Sequence, residues 1–178
     1  MTIKRKYYLS LIILILTHFN SNGQDTSDCK YLKGLYYLKS NIEVNQKIIK
    51  FFPKKISQKE KIVEFNLSNR VAYIDYGEFE NVLDVELVAE LKYGKIFLEK
   101  YFFKPYNSDY LEKLIVPNHS SLFLYFSKPI DRYLIAELGF FEPSKFIQRK
   151  YGVAMQILFK FNKEGFVEEV FYSGASYN

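Results

Sequence analysis

Apolar residues recur along the chain in two rhythms. Between Cys29 and Phe52 they fall on an alternating four-three spacing: Tyr31, Leu35, Leu38, Ile42, Ile49 and Phe52, with Asn45 as the one polar interruption. That spacing returns to one side of a 3.6-residue turn and predicts one or two amphipathic helices. Ser40 and Glu43 match a capping box, which would start a second helix at Asn41. A competing reading makes Gly34–Leu38 a first strand. Pro53 stops whatever precedes it, because it offers no backbone N–H, and Lys54–Lys61 reads as a polar loop.

Beyond residue 61 the rhythm changes. Ile62–Leu67 and Val71–Tyr76 read as two strands joined at Ser68-Asn69. In Asn81–Lys92, Leu83, Val85, Leu87, Ala89 and Leu91 alternate with charged residues, broken only by Val88. Period two predicts a strand there, turning at Tyr93-Gly94 into a further strand over Lys95–Phe103. Ser108 is a suitable N-cap for a short helix over Asp109–Leu114, with Pro117 beyond it. The stretch Ser121–Phe141 holds two apolar runs, Leu122–Phe126 and Tyr133–Leu138, around the insert Ser127–Arg132, whose Pro129 favours a turn. It reads as a buried antiparallel hairpin around which the rest of the chain is arranged. Glu142–Lys150 is a polar connector. Gly152–Phe161 and Phe166–Tyr172 form the clearest hairpin, with Asn162–Gly165 as the turn and Gly165 at its left-handed position. Phe159 and Phe161 then share one face and Lys160 takes the other, and the Phe face is expected to pack on the Ser121–Phe141 strands. The expected fold is α+β: an N-terminal helix or helices, then a mainly antiparallel sheet of hairpins.

The first 23 residues have a different logic. Lys4–Lys6 is a basic cluster, Leu9–Leu16 an aliphatic run, and His18–Gly23 a short polar stretch ending in small residues. This is the pattern of a secretory signal peptide, and the run is short for a bilayer span. Cleavage after Gly23 would leave residues 24–178 as a single globular domain, with no membrane span and outside the cytoplasm. Acylation at Cys29 fits poorly, since Asp28 and Thr26 precede it where a small and an aliphatic residue belong.

Charge and composition narrow the choices. Three of the 25 basic side chains and none of the 20 acidic ones precede Gly23, so the remainder carries a formal charge of +2. The overall basic balance is therefore no nucleic-acid footprint, and Lys54-Lys55 with Lys59–Lys61 reads as a solvated loop. Beyond Gly23 the chain has one cysteine, Cys29, and one histidine, His119. No internal disulfide and no conventional zinc site can be built from these, and no cofactor motif is present. The 16 Tyr and 17 Phe suit strands and contact surfaces.

Candidate chemistry is sparse. Glu137 lies between Ala136 and Leu138 in an apolar run and in a cleft would serve as a general acid or base. Otherwise it faces solvent or pairs with a cation. Asp131 and His119 complete a weak catalytic set. At the central turn, Ser127 and Lys128 would form a nucleophilic pair only with a buried, neutral lysine. Lys128, Arg132 and Tyr133 are the candidate binding residues.

The stretch Ser21-Asn22-Gly23-Gln24, with Phe126-Ser127-Lys128-Pro129, Leu134-Ile135-Ala136-Glu137 and Leu158-Phe159-Lys160-Phe161-Asn162, resembles small uncharacterised exported proteins of Bacteroidota. The resemblance implies export and carries no activity. The reading that fits these observations is a non-enzymatic exported binding module whose partner is a protein or envelope component. A small periplasmic hydrolase using Glu137 or Asp131 with His119, and an inhibitor-like or structural envelope protein, are the alternatives.

Overall fold

The computed structural model describes residues 27–94, 96, 103–140 and 152–177. The expected signal peptide, most of the Lys95–Phe103 strand and the Glu142–Lys150 connector lie outside the described residues. In chain order the elements are α1 (Ser27–Ser40), α2 (Ile42–Phe51), β1 (Asn66–Ala72), a short 3-10 helix (Gly77–Val82) and α3 (Val85–Tyr93). Then come β2 (Tyr106–Asn107), α4 (Asp109–Leu114), β3 (Phe123–Ser127), β4 (Tyr133–Gly139), β5 (Gly152–Phe161) and β6 (Val167–Tyr177). The six strands form one sheet in the order β2-β1-β3-β4-β5-β6. Every neighbouring pair is antiparallel except β1 and β3, which run parallel. The α+β class and the mostly antiparallel sheet follow the sequence pattern.

Helices cover both faces of the sheet. On one, α1, α2 and α4 bury Leu35, Leu38, Ile48 and Leu111 against Leu124, Phe126, Leu134, Ile157 and Phe159. On the other, the 3-10 helix and α3 bury Phe79, Leu83 and Leu87 against Tyr125, Ile135 and Leu158. β4 lies between β3 and β5 and is buried along its whole length, which explains a run that is apolar but for Glu137. α1 crosses the sheet closely at Gly34, where an added Cβ would meet Leu134 Cδ2 at 3.3 Å and Phe126 Cε1 at 3.5 Å.

The structure corrects several sequence expectations. Gly34–Leu38 belongs to α1, so the strand alternative falls. The cap of α2 is Asn41, whose side chain accepts a hydrogen bond from the Val44 N–H at 3.1 Å. The Ser40 hydroxyl is turned back to the Tyr36 carbonyl at 2.8 Å, so no Ser40–Glu43 capping box forms. One strand, β1, runs through Ser68-Asn69 where a turn between two strands was expected. Its pairing with β3 shifts register between Leu67 and Val71, and the Arg70 N–H donates to the Ser68 hydroxyl at 3.1 Å. The turn-forming residues therefore make an irregularity inside the strand rather than a break.

Asn81–Lys92 is not a strand. It closes the 3-10 helix and then forms most of α3, which ends at Gly94 with the Gly94 N–H on the Glu90 carbonyl at 3.1 Å. The alternation misled because α3 buries little: Leu87 is its one buried residue and Val85 is 81% exposed. A peripheral helix with so narrow a buried stripe leaves its other apolar positions free of the 3.6-residue rule. Phe159 and Phe161 share a buried face, but β5 lies beside the Ser121–Phe141 strands in the same sheet. Their rings therefore pack against the helical layer, not onto those strands.

Candidate functional site

Ser127 ends β3 and Ala72 ends β1, side by side and parallel. Where adjacent parallel strands end, their chains leave in different directions and open a gap. Here the gap is a cavity of about 250 Å³ lined by Ala72, Tyr73, Ile74, Tyr76, Ile130 and Asp131, among others. Its walls are mostly aliphatic and aromatic, and Lys128 and Asp131 are its exposed charged residues. Asp131 takes a left-handed backbone, with φ of 47°, a conformation that aspartate tolerates in tight turns. The turn is closed by reciprocal backbone bonds between Ile130 and Tyr133, at 3.0 and 2.8 Å.

Within this site Ser127 is buried, and its Oγ accepts a hydrogen bond from the Ile135 N–H at 3.0 Å. The Tyr76 hydroxyl lies 3.4 Å from the same oxygen. Burial holds the Tyr76 phenol above its ordinary pKa of 10.0, only partly offset by the bond to Ser127. Ser127 is thus committed to the sheet backbone. Lys128 is exposed, so the buried neutral lysine that a Ser–Lys pair needs is missing.

Arg132 and Tyr133 turn away to a second cluster. The Arg132 guanidinium donates to both Asp84 carboxylate oxygens, from Nη2 to Oδ1 at 2.7 Å and from Nε to Oδ2 at 3.1 Å. The Tyr133 hydroxyl donates to Asp84 Oδ2 at 3.0 Å. Bonding to Arg132 holds the Asp84 carboxyl below its ordinary value and the guanidinium above its own. Asp84 is the N-cap position of α3 yet makes no side-chain cap bond. Its carboxylate instead ties the start of that helix to the β3–β4 turn.

Glu137 neither faces solvent nor lines that cavity. It is fully buried in β4, on the sheet face that α3 covers, opposite Tyr125 and Gln156 on the neighbouring strands. Its Oε2 accepts hydrogen bonds from Gln156 Nε2 at 3.1 Å and from the Tyr177 hydroxyl. His119 is exposed in the loop between α4 and β3, where it lines a wider cleft of about 540 Å³ with Lys55, Glu60, Glu64 and Ser120. The neighbouring Ser120 hydroxyl donates to the Glu64 carbonyl at 2.7 Å. Glu137, His119 and Asp131 therefore occupy three separate places: the interior of the sheet, the loop before β3 and the turn after it. Among the described residues no group of three or more His, Cys, Asp or Glu could hold a metal ion, and no helix is long and apolar enough to cross a membrane.

Sequence reasoning missed Asp84, Tyr76 and Gln156. Each meets its partner across 19 to 51 residues of chain, and no local spacing reports such a contact. Fold and site together define an α+β sheet domain with a small, largely apolar cavity at the one parallel strand junction among the described residues. Neither a protein-family model, nor a curated protein, nor a solved structure matches the chain.

Proposed function

We propose that the chain is an exported, non-enzymatic binding module that takes a small, predominantly apolar ligand in the cavity between the ends of β1 and β3. The observation that carries this reading is the lining of that cavity: apolar walls with Tyr73, Tyr76 and two charged residues around them. Such a composition suits holding a ligand by burial and orienting it by a few polar groups. The acid–base residues that a hydrolase would use lie apart, which supports binding over catalysis. Export rests on the Lys4–Lys6 and Leu9–Leu16 pattern.

Titration with the apolar fluorophore anilinonaphthalene sulfonate, followed by competition with small aromatic and aliphatic carboxylates, tests the cavity. Saturable binding that Ile130→Trp abolishes, by filling the space, is the expected result. Ester or glycoside hydrolysis lost in Glu137→Gln or His119→Ala would overturn the non-enzymatic reading. Recovery of the protein from the cytoplasm with residues 1–23 intact would overturn export.

A further inference from the structure

We propose that the end of α2 and the loop after it form a basic face that docks on an anionic lipid surface. Residues 47–61 carry Lys47, Lys50, Lys54, Lys55, Lys59 and Lys61 against the single acid Glu60, and all six lysines are exposed. The structure makes this more than a solvated loop. Asn45 Oδ1 accepts the Val63 N–H at 2.7 Å, and Gln58 Nε2 donates to the Ile49 carbonyl at 3.1 Å. These two bonds fold the loop back along α2. The Lys55 and Ile56 N–H groups both reach the Phe52 carbonyl at 3.0 Å and tighten the turn. Lys47 lies 3.9 Å from the Tyr172 ring centroid and Lys55 5.8 Å from that of Phe140. The two bonds hold the lysine-bearing loop against α2. Glu43 acts on Tyr172 beside Lys47, and Glu60 and Glu64 line the cleft that holds Lys55, so six lysines stand against three acids around this segment.

The chemistry of the face selects the partner. It has lysines and no arginine. Lysine is a compact point charge suited to a diffuse anionic field, whereas arginine supplies the planar fork that reads individual phosphates or carboxylates on a folded partner. Single-stranded nucleic acid would need exposed rings for its bases to stack on, but Phe52 is buried and Phe51 half-buried. Ile62, 60% exposed, directly follows the lysines and gives the face an apolar residue to set among lipid headgroups. Upstream, Lys4–Lys6 and Leu9–Leu16 follow the signal-peptide pattern on which the export proposal rests. The proposal does not depend on the cavity reading, since none of Lys47, Lys50, Lys54, Lys55, Lys59 and Lys61 lines that cavity.

Co-sedimentation of the full chain with phosphatidylcholine vesicles, alone or with about 30% phosphatidylglycerol, tests it. Lys4–Lys6 and Leu9–Leu16 are common to every sample, so the comparison of the parent with the lysine variants below isolates the proposed face. The expected result is preferential binding to the anionic vesicles that falls at least about tenfold when salt rises from about 0.1 to about 0.5 M. The variant Lys50→Gln/Lys54→Gln/Lys59→Gln/Lys61→Gln should lose binding by a similar factor. It spares the two lysines on aromatic rings, and an unchanged thermal melt verifies its fold. The variant Lys92→Gln/Lys104→Gln/Lys113→Gln/Lys163→Gln removes the same charge elsewhere and should bind as the parent does. Equal loss in both variants, equal binding to neutral vesicles, or tighter binding to a single-stranded oligonucleotide or polyglutamate than to the anionic vesicles would overturn the proposal.

Discussion

The side chain of Asn45 and the backbone of Val63, 18 residues apart, share a hydrogen bond of 2.7 Å between Oδ1 and N–H. The Asn45 amide also donates to the carbonyls of Leu38 at 3.0 Å and Asn41 at 2.8 Å. One buried side chain thus closes the end of α1, the start of α2 and the entry to β1. Asn45 interrupts the apolar stripe of α2 because its amide supplies buried partners to the Val63 N–H and the Leu38 carbonyl, while the Asn41 carbonyl also takes the Asn45 backbone N–H at 3.2 Å.

Asn45→Ala should destabilise the domain by about 2–3 kcal/mol, since it strands buried donors and acceptors as well as removing bonds. Asn45→Leu should do no better, because restored apolar volume satisfies neither the Val63 N–H nor the Leu38 carbonyl. Urea denaturation of the two variants beside the parent checks this.

At the sheet centre, Phe159→Ala should cost about 3–5 kcal/mol, since the ring is fully buried under the helical layer. Gly165, with φ of 74°, is held where a β-branched residue is strained, and Gly165→Val should cost about 1–3 kcal/mol. Lys160 pairs with Glu169 near the surface, so Lys160→Ala should stay within about 1 kcal/mol. Thermal melts should rank the three in that order. A Lys160→Ala effect larger than that of Phe159→Ala would contradict the facing of β5.

Asp84 supplies a pH dependence with a definite sign. Its carboxyl titrates lower in the folded protein than its ordinary value of 3.8, chiefly through Arg132. The stabilisation is therefore complete above about pH 4 and is lost as pH falls through the lower, folded value. The ion pair is more than a third exposed on both sides, so the effect should not exceed about 1 kcal/mol. Asp84→Asn should lower stability at neutral pH and flatten the acid limb of the stability profile, as followed by denaturation between pH 2 and 6.

Glu137 is a buried acceptor for Gln156 and Tyr177. Glu137→Leu removes that acceptor while leaving both donors, and should cost about 1–3 kcal/mol. Glu137→Gln retains one oxygen acceptor and should cost less. Stability curves for the pair separate the two, and the gap between them should narrow when Tyr177→Phe removes one donor.

Local chemistry determined a good part of this protein. The spacing of Tyr31, Leu35 and Leu38 makes α1. Ser108 caps α4 through the Leu111 N–H at 3.2 Å, and Gly165 turns β5 toward β6. Each of these rests on contacts within a few residues, which a single segment encodes by itself. Tertiary structure decided the rest. Whether Ser68-Asn69 turns the chain depended on β3, more than 50 residues away, being there to pair with both ends of β1. Whether Asn81–Lys92 winds into a helix depended on a sheet face that needed little more from α3 than Leu87. Whether Glu137 met water or Gln156 depended on β5 and on the layer above it. In all three the deciding energy is burial against distant chain. Alternation of apolar and polar residues states that a segment has two sides, but only the packed neighbours determine which side is covered.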